Sequence, residues 1–138
     1  TFEEHERWWC DKLSHPKSHR IWIMEVGGVP VGQVRYGRAC GPVLYFHGAE
    51  PRNYRGRALD QAEIAISVDP ARQGRGYGKT LLIETMPLAR EWLGVTTLVA
   101  LVLRGNYRSR RLFRGAGFKY VGLECRLNKA HGRYEAHV

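Results

Sequence analysis

The stretch Gln73-Gly74-Arg75-Gly76-Tyr77-Gly78, followed by Lys79, sets three glycines at every second position between an apolar strand and a helix. Glycines let the backbone curl tightly enough to point successive N–H groups inward. At the positive end of the following helix those donors make an anion cradle suited to a pyrophosphate. The spacing fits neither the Walker pattern nor G-x-G-x-x-G, which disfavours a dinucleotide fold. The same glycines also fit a plain tight turn, so the reading needs support from elsewhere.

Charge supplies some of it. Lys and Arg number 22 against 13 Asp and Glu, a formal +9. Residues 72–79 hold Arg72, Arg75 and Lys79 with no acid. Residues 104–119 hold Arg104, Arg108, Arg110, Arg111, Arg114 and Lys119, again with none. These two windows carry the whole excess. They point to an anionic partner touching both segments: nucleic acid, an anionic membrane surface or a phosphorylated cofactor. Solvated, arginine-rich helix faces are the plainer alternative.

The elements that position these residues follow from periodicity. Thr1 and Glu4 have capping-box spacing, and Phe2, Trp8, Trp9 and Leu13 supply the apolar positions of a helix over 1–13. Ile21–Val26 and Val29–Tyr36 are expected strands around a Gly27-Gly28 turn. Residues 37–59 resist assignment, apart from the short apolar run Val43-Leu44-Tyr45-Phe46. Ala62, Ile64, Ile66 and Val68 alternate with Glu63, Ala65 and Ser67, the pattern of a strand. Lys79–Leu93 reads as a helix kinked at Pro87. Val95–Leu103 is an almost unbroken apolar run, expected of a strand covered on both faces. A helix over 107–114 and strands at Phe118–Leu123 and Arg133–Val138 complete a mixed α/β sheet.

The 138 residues bound the chain to one domain, taken as 1–138, with one core. No apolar run approaches the ~20 residues of a spanning helix. Cys10, Cys40 and Cys125 are odd in number, with no C-x-x-C, so neither a disulfide scaffold nor a zinc site is expected and a reducing cytoplasm is the default. His15 and His19 have helix-face spacing, but Pro16 separates them, so they read as surface histidines and no metal site is expected. Cys125 reads as a buried thiol, and Trp92 as packing its helix on the sheet.

Downstream of the loop come Asn106, Ser109, Phe113 and Gly117-Phe118. With Gln73, Gly76 and Gly78 they resemble the two motifs of the GNAT superfamily of acyl-CoA N-acyltransferases. The resemblance covers Glu63 to about Val121. It implies a mixed, mostly antiparallel twisted sheet with a central, splayed parallel strand pair and helices on both faces. It implies acetyl-CoA as acyl donor, its pyrophosphate held by the amides of Gln73, Gly74, Arg75, Gly76, Tyr77, Gly78 and Lys79. The pantetheine arm would run along Ile66, Ser67 and Val68 and meet Asn106, with Ser109 and Phe113 beside the thiol. Arg108 or Arg111 would meet the 3′-phosphate. Domains of this family usually open with a strand and helix, whereas this chain opens with a helix at Thr1. Its first strand is then missing, or the sheet is a strand short.

The implied reaction is attack of a neutral primary amine on a thioester, and an amine of pKa near 10 needs a base or a desolvating pocket to free it. Glu63 is the candidate base, since related histone-modifying enzymes place a glutamate at the matching position of A-E-I. An edge-strand carboxylate paired with an arginine is the alternative. Phe113 departs from the tyrosine that many members use to protonate the thiolate; the thiolate could leave unassisted, or Tyr107, Tyr77 or a water could serve. His5, Trp8, Pro30, Val31, Gly32, Gln33 and Arg35 are similar to residues of enzymes that acetylate nucleotide-linked amino sugars. The expected acceptor is therefore a small-molecule amine, with a protein or peptide amine as competitor. A non-catalytic acyl-CoA or nucleic-acid binding module is the other class. Nucleic acid and membrane are disfavoured as partners, and a homodimer is allowed.

Overall fold

The computed structural model describes residues 19–38, 44–47, 50–53, 61–126 and 128–138. The expected helix over 1–13 and the question of a missing first strand lie outside them, as do Cys10 and Cys40. Within these residues eight strands form one sheet: β1 (His19–Val26), β2 (Val29–Arg38), β3 (Leu44–His47), β4 (Glu50–Asn53), β5 (Gln61–Val68), β6 (Thr97–Leu103), β7 (Lys119–Arg126) and β8 (Lys129–His137). Their order is β1-β2-β5-β6-β8-β7-β3-β4. Among the described residues only β5 and β6, in the middle, run parallel; the other neighbours are antiparallel. The mixed, mostly antiparallel architecture expected from the sequence is present.

Helix α1 (Tyr77–Leu93) is the crossover between β5 and β6, and α2 (Tyr107–Gly115) links β6 to β7. Even-numbered residues of the central strands (Val34, Tyr36, Ala62, Ile64, Leu98, Ala100, Val102, Tyr134) join Leu82 and Ala89 of α1 and Phe113 of α2 in one continuous core. Both described helices thus share one sheet face. Burying a leucine such as Leu82 or Leu98, each 0% exposed, is worth about 2 kcal/mol. The Tyr36 hydroxyl and Thr85 Oγ1 lie 2.8 Å apart, and Thr85 donates to the Leu81 carbonyl at 2.7 Å. This chain of bonds pins α1 onto β2 within the core.

The odd-numbered face of the same strands buries polar groups beside Val31 and Val99. Arg133, 1% exposed, donates to Glu124, Glu135 and Gln61 at 2.7, 2.9 and 2.9 Å. It thereby links β7, β8 and β5, reaching past β6.

Several expectations need correcting. The unplaced 37–59 segment contains the β3–β4 hairpin, which extends the sheet beside β7. The last two strands are longer than expected, because Asn128 takes a left-handed φ of 60° and lets them meet in a close hairpin. α1 starts at Tyr77 rather than Lys79, and its helical conformation continues through Pro87. Trp92 is 59% exposed, with the Arg20 guanidinium stacked 3.8 Å from its ring centroid. Cys125 is exposed, close to the β7–β8 turn. At the first hairpin, Gly27 and Gly28 both have positive φ, as a two-residue turn of the expected kind requires.

Candidate functional site

The site begins where the parallel pair ends. β5 pairs with β6 from Gln61↔Thr97 to Ile64↔Ala100 and no further. Beyond Ile64, β5 keeps its pairing with β2 as far as Val68, and β6 keeps its pairing with β8 as far as Leu103. The two central strands therefore part, leaving one flank of Ile66, Ser67 and Val68 without a strand neighbour among the described residues. On the far side, Gly32 of β2 allows a close approach to β5. A Cβ there would stand 3.1 Å from the Ser67 carbonyl oxygen.

The loop after β5 is shaped by its own side chains. Asp69 accepts from the Ala71 amide at 3.0 Å and pairs with Arg72 at 3.8 Å. Gln73 Nε2 donates back to the Val68 carbonyl at 3.4 Å. Gly74 and Gly76 take φ of 83° and 79°, the left-handed conformations that glycine accepts without strain. Gly76 is the N-cap of α1, no side chain caps the helix, and its first turn holds no acid. The amides of Tyr77, Gly78 and Lys79 accordingly have no partner within the helix, at its positive end. Gly78 lets α1 approach α2, since a Cβ there would lie 3.4 Å from both Leu112 methyls.

These parts enclose a cleft of about 630 Å³. Its walls are Ile66, Ser67 and Val68 of β5, the loop from Arg72 to Lys79 without Arg75, and Arg108, Ser109, Arg111, Leu112 and Gly115 of α2. Among the described residues four cations and no carboxylate line it, so the cleft favours an anion. Each lies in one of the two acid-free windows; the remaining basic residues of those windows do not line the cleft.

Ten of the fourteen expected site residues meet here: Ile66, Ser67, Val68, Gln73, Gly74, Gly76, Tyr77, Gly78, Lys79 and Ser109. Arg75 is exposed on the loop outside the cleft. Asn106 is the N-cap of α2, its Oδ1 accepting from the Ser109 amide at 3.3 Å. Phe113 is buried to 4% exposure and packs edge-on against Phe118, with centroids 5.1 Å apart. Tyr77 stands in the cleft wall, whereas Tyr107 is 66% exposed and carries Arg110 over its ring. Arg72, Leu112 and Gly115 were absent from the expected set. The helical spacing of residues 108, 111, 112 and 115 would have found the last two, because it defines a single face of α2.

Glu63 lies one turn of the pleat below the parting, half-buried on the odd face of β5. It is in the sheet interior between β2 and β6, not on an edge strand as one reading expected. Arg35 of β2 faces it. Burial holds the Arg35 guanidinium below its ordinary pKa, and the Glu63 carboxylate opposes that shift.

Comparison with known proteins bears on this geometry. A sequence model of the "Acetyltransferase (GNAT) family" matches residues 1–118. The chain is 43% identical over 96 residues to the N-alpha-acetyltransferase RimI of Mycobacterium tuberculosis, covering 70% of this chain and 58% of that protein. It is 39% identical over 78 residues to a Bacillus subtilis protein described as "Putative phosphinothricin acetyltransferase YwnH", covering 56% and 47%. The chain thus spans about half the length of these curated relatives. The crystal structure of aminoglycoside acetyltransferase AAC(6')-Ib in complex with coenzyme A superposes with a TM-score of 0.70 at 19% identity, over 88% of this chain and 68% of that one. That likeness is one of fold.

Proposed function

This chain belongs to the acetyltransferase (GNAT) family, and on that premise we propose that it transfers the acetyl group of acetyl-CoA to a primary amine of a small molecule. The observation that carries the reading is the parting of β5 from β6 directly before an uncapped, glycine-shaped helix start. An extended, amide-bearing arm can take the place of the missing strand neighbour along Ile66–Val68. The pyrophosphate then falls on the amides of Tyr77, Gly78 and Lys79. Arg72, Arg108 and Arg111 stand ready for the remaining phosphate charge. Asn106 acts by capping α2 and so setting Ser109 in the cleft wall. Glu63 serves as the base, through a water, and the departing thiolate leaves without a side-chain acid, because Phe113 offers no hydroxyl.

For the acceptor, the match to YwnH, whose description is "Putative phosphinothricin acetyltransferase", supports a small amine. A second reading, an N-terminal protein amine, draws on the higher identity to RimI, an N-alpha-acetyltransferase. The amino-sugar nucleotide expected from the opening residues remains a member of the first class.

Thermal unfolding with and without acetyl-CoA tests the cofactor half. At 100 times the dissociation constant the ligand should stabilise the fold by about 2.7 kcal/mol. In Gly78→Leu, whose side chain fills the cleft beside Leu112, the rise should vanish. No rise in the parent at millimolar acetyl-CoA would defeat the reading. Release of free thiol with phosphinothricin or with an alanyl peptide then separates the two acceptor classes.

A further inference from the structure

We propose that His19 is a positioning residue and proton relay for Glu63, acting across Gly37. The inference rests on Glu63 being the base of the proposed acetyl transfer. His19 opens β1 and pairs with Gly37 of β2, and Gly37 pairs on its other side with Glu63 of β5. The three residues form one row across three strands, with side chains on the same, odd-numbered face. The middle position has no side chain, and the imidazole occupies its space. A Cβ at Gly37 would stand 2.8 Å from His19 Cδ2 and 3.0 Å from Nε2. No residue but glycine admits the ring there without displacing it.

Cβ positions paired across an antiparallel ladder lie about 5 Å apart, so the leading edge of the ring faces Glu63 at the reach of its side chain or of one bridging water. Arg35 is the charged neighbour of Glu63 on β2. Gln61, two residues before Glu63, is held by Arg133, and beyond Val99 of β6 stands Glu135, bonded to the same arginine. Among the described residues packed around Glu63, His19 is the group whose ordinary titration falls near neutrality.

The proton balance is simple. The ammonium of the acceptor gives one proton through water to Glu63, which passes it to His19 and returns to the carboxylate. His19, now imidazolium, releases it to solvent. The freed amine forms the N–C bond, the C–S bond breaks with its electron pair on sulfur, and the second nitrogen proton ends on that sulfur. Neutral His19 is the competent form, so activity should fall as pH drops through the His19 midpoint that the NMR arm below reads.

The test has two arms. The first follows histidine titration by NMR in the parent, Glu63→Gln and Gly37→Ala, with His19→Gln assigning the resonance. Loss of the carboxylate neighbour should lower the His19 midpoint by roughly one pH unit in Glu63→Gln. Gly37→Ala, which pushes the ring out of the row with Glu63 intact, should lower it too. Identical His19 titration in all three would overturn the proposal. The second arm measures kcat and KM against pH with phosphinothricin or an alanyl peptide. His19→Gln should lower kcat about tenfold, leave KM for acetyl-CoA unchanged and remove the acidic limb. A parental profile in both His19→Gln and Gly37→Ala, with unchanged melting, also overturns it. A parent that binds acetyl-CoA but acetylates neither amine counts against the acyl-transfer reading, and the NMR arm still decides the pair.

Discussion

Replacing Arg133 with methionine tests how much of the sheet depends on one buried cation. Its guanidinium, 1% exposed, bonds Glu124, Glu135 and Gln61, and so holds the lower half of β5 in place past β6. Methionine keeps most of the stem and removes the charge. Glu124, also 1% exposed, then loses its arginine in a setting water does not reach, while Glu135, 17% exposed, can turn to solvent. Removing one partner of such a pair costs about 3–5 kcal/mol. For 138 residues the unfolding entropy is about 290 cal/mol/K, so the melting midpoint should fall by roughly 10–17 °C. Replacing both partners, in Arg133→Met with Glu124→Leu, should recover part of that loss, because the buried Glu124 carboxylate is no longer left without its arginine. Calorimetric melting at pH 7 of the parent, the single and the double variant decides it. A fall under about 3 °C, or a double variant no better than the single, would refute the reasoning.

Three further outcomes are expected. Burial pushes the Tyr36 phenol up to about 12, so its neutral form is favoured in the fold. That stabilisation is intact below pH 10 and is lost as pH rises through 12, a change on the order of 2–3 kcal/mol. Tyr36→Phe should lack this share of the alkaline loss in melting curves between pH 9 and 12. In the cleft, Arg108→Gln and Arg111→Gln should each raise KM for acetyl-CoA about threefold at low salt, and the difference should shrink above 0.5 M salt. Finally, Gly32→Ala must move the Ser67 backbone at 3.1 Å and should cost about 1–3 kcal/mol by melting while weakening acetyl-CoA binding.

What the sequence made legible was whatever packing repeats locally. Val95, Leu98, Val99, Ala100 and Val102 are all at 4% exposure or less, and a strand enclosed on both sides has no reason to alternate. Gly27-Gly28 and the glycines after β5 stood out because only their backbone conformations allow those turns. Long-range pairings left no such trace. Glu50-Pro51-Arg52-Asn53 has no apolar alternation, so its strand depends on its partner β3. Arg133 looks like any arginine of a half-polar strand until Gln61, 72 residues away, is brought beside it. Asn106 fits a cofactor motif and an N-cap equally well in one dimension. The nine basic residues of the two windows divide between cleft and solvent only once α2 is rotated into place.

The parting of β5 from β6 has a kinetic consequence. A strand flank lacking a hydrogen-bonded neighbour leaves its amides to the solvent, although they lie at the centre of an eight-stranded sheet. Deuterium should enter the outward amides of Ile66–Val68 as fast as it enters surface loops, while Ala62 and Ile64 two residues away exchange only on global opening. The middle of this protein is therefore among its least protected stretches. A ligand that completes the ladder would slow exchange at that spot by orders of magnitude and hardly alter the rest of the map.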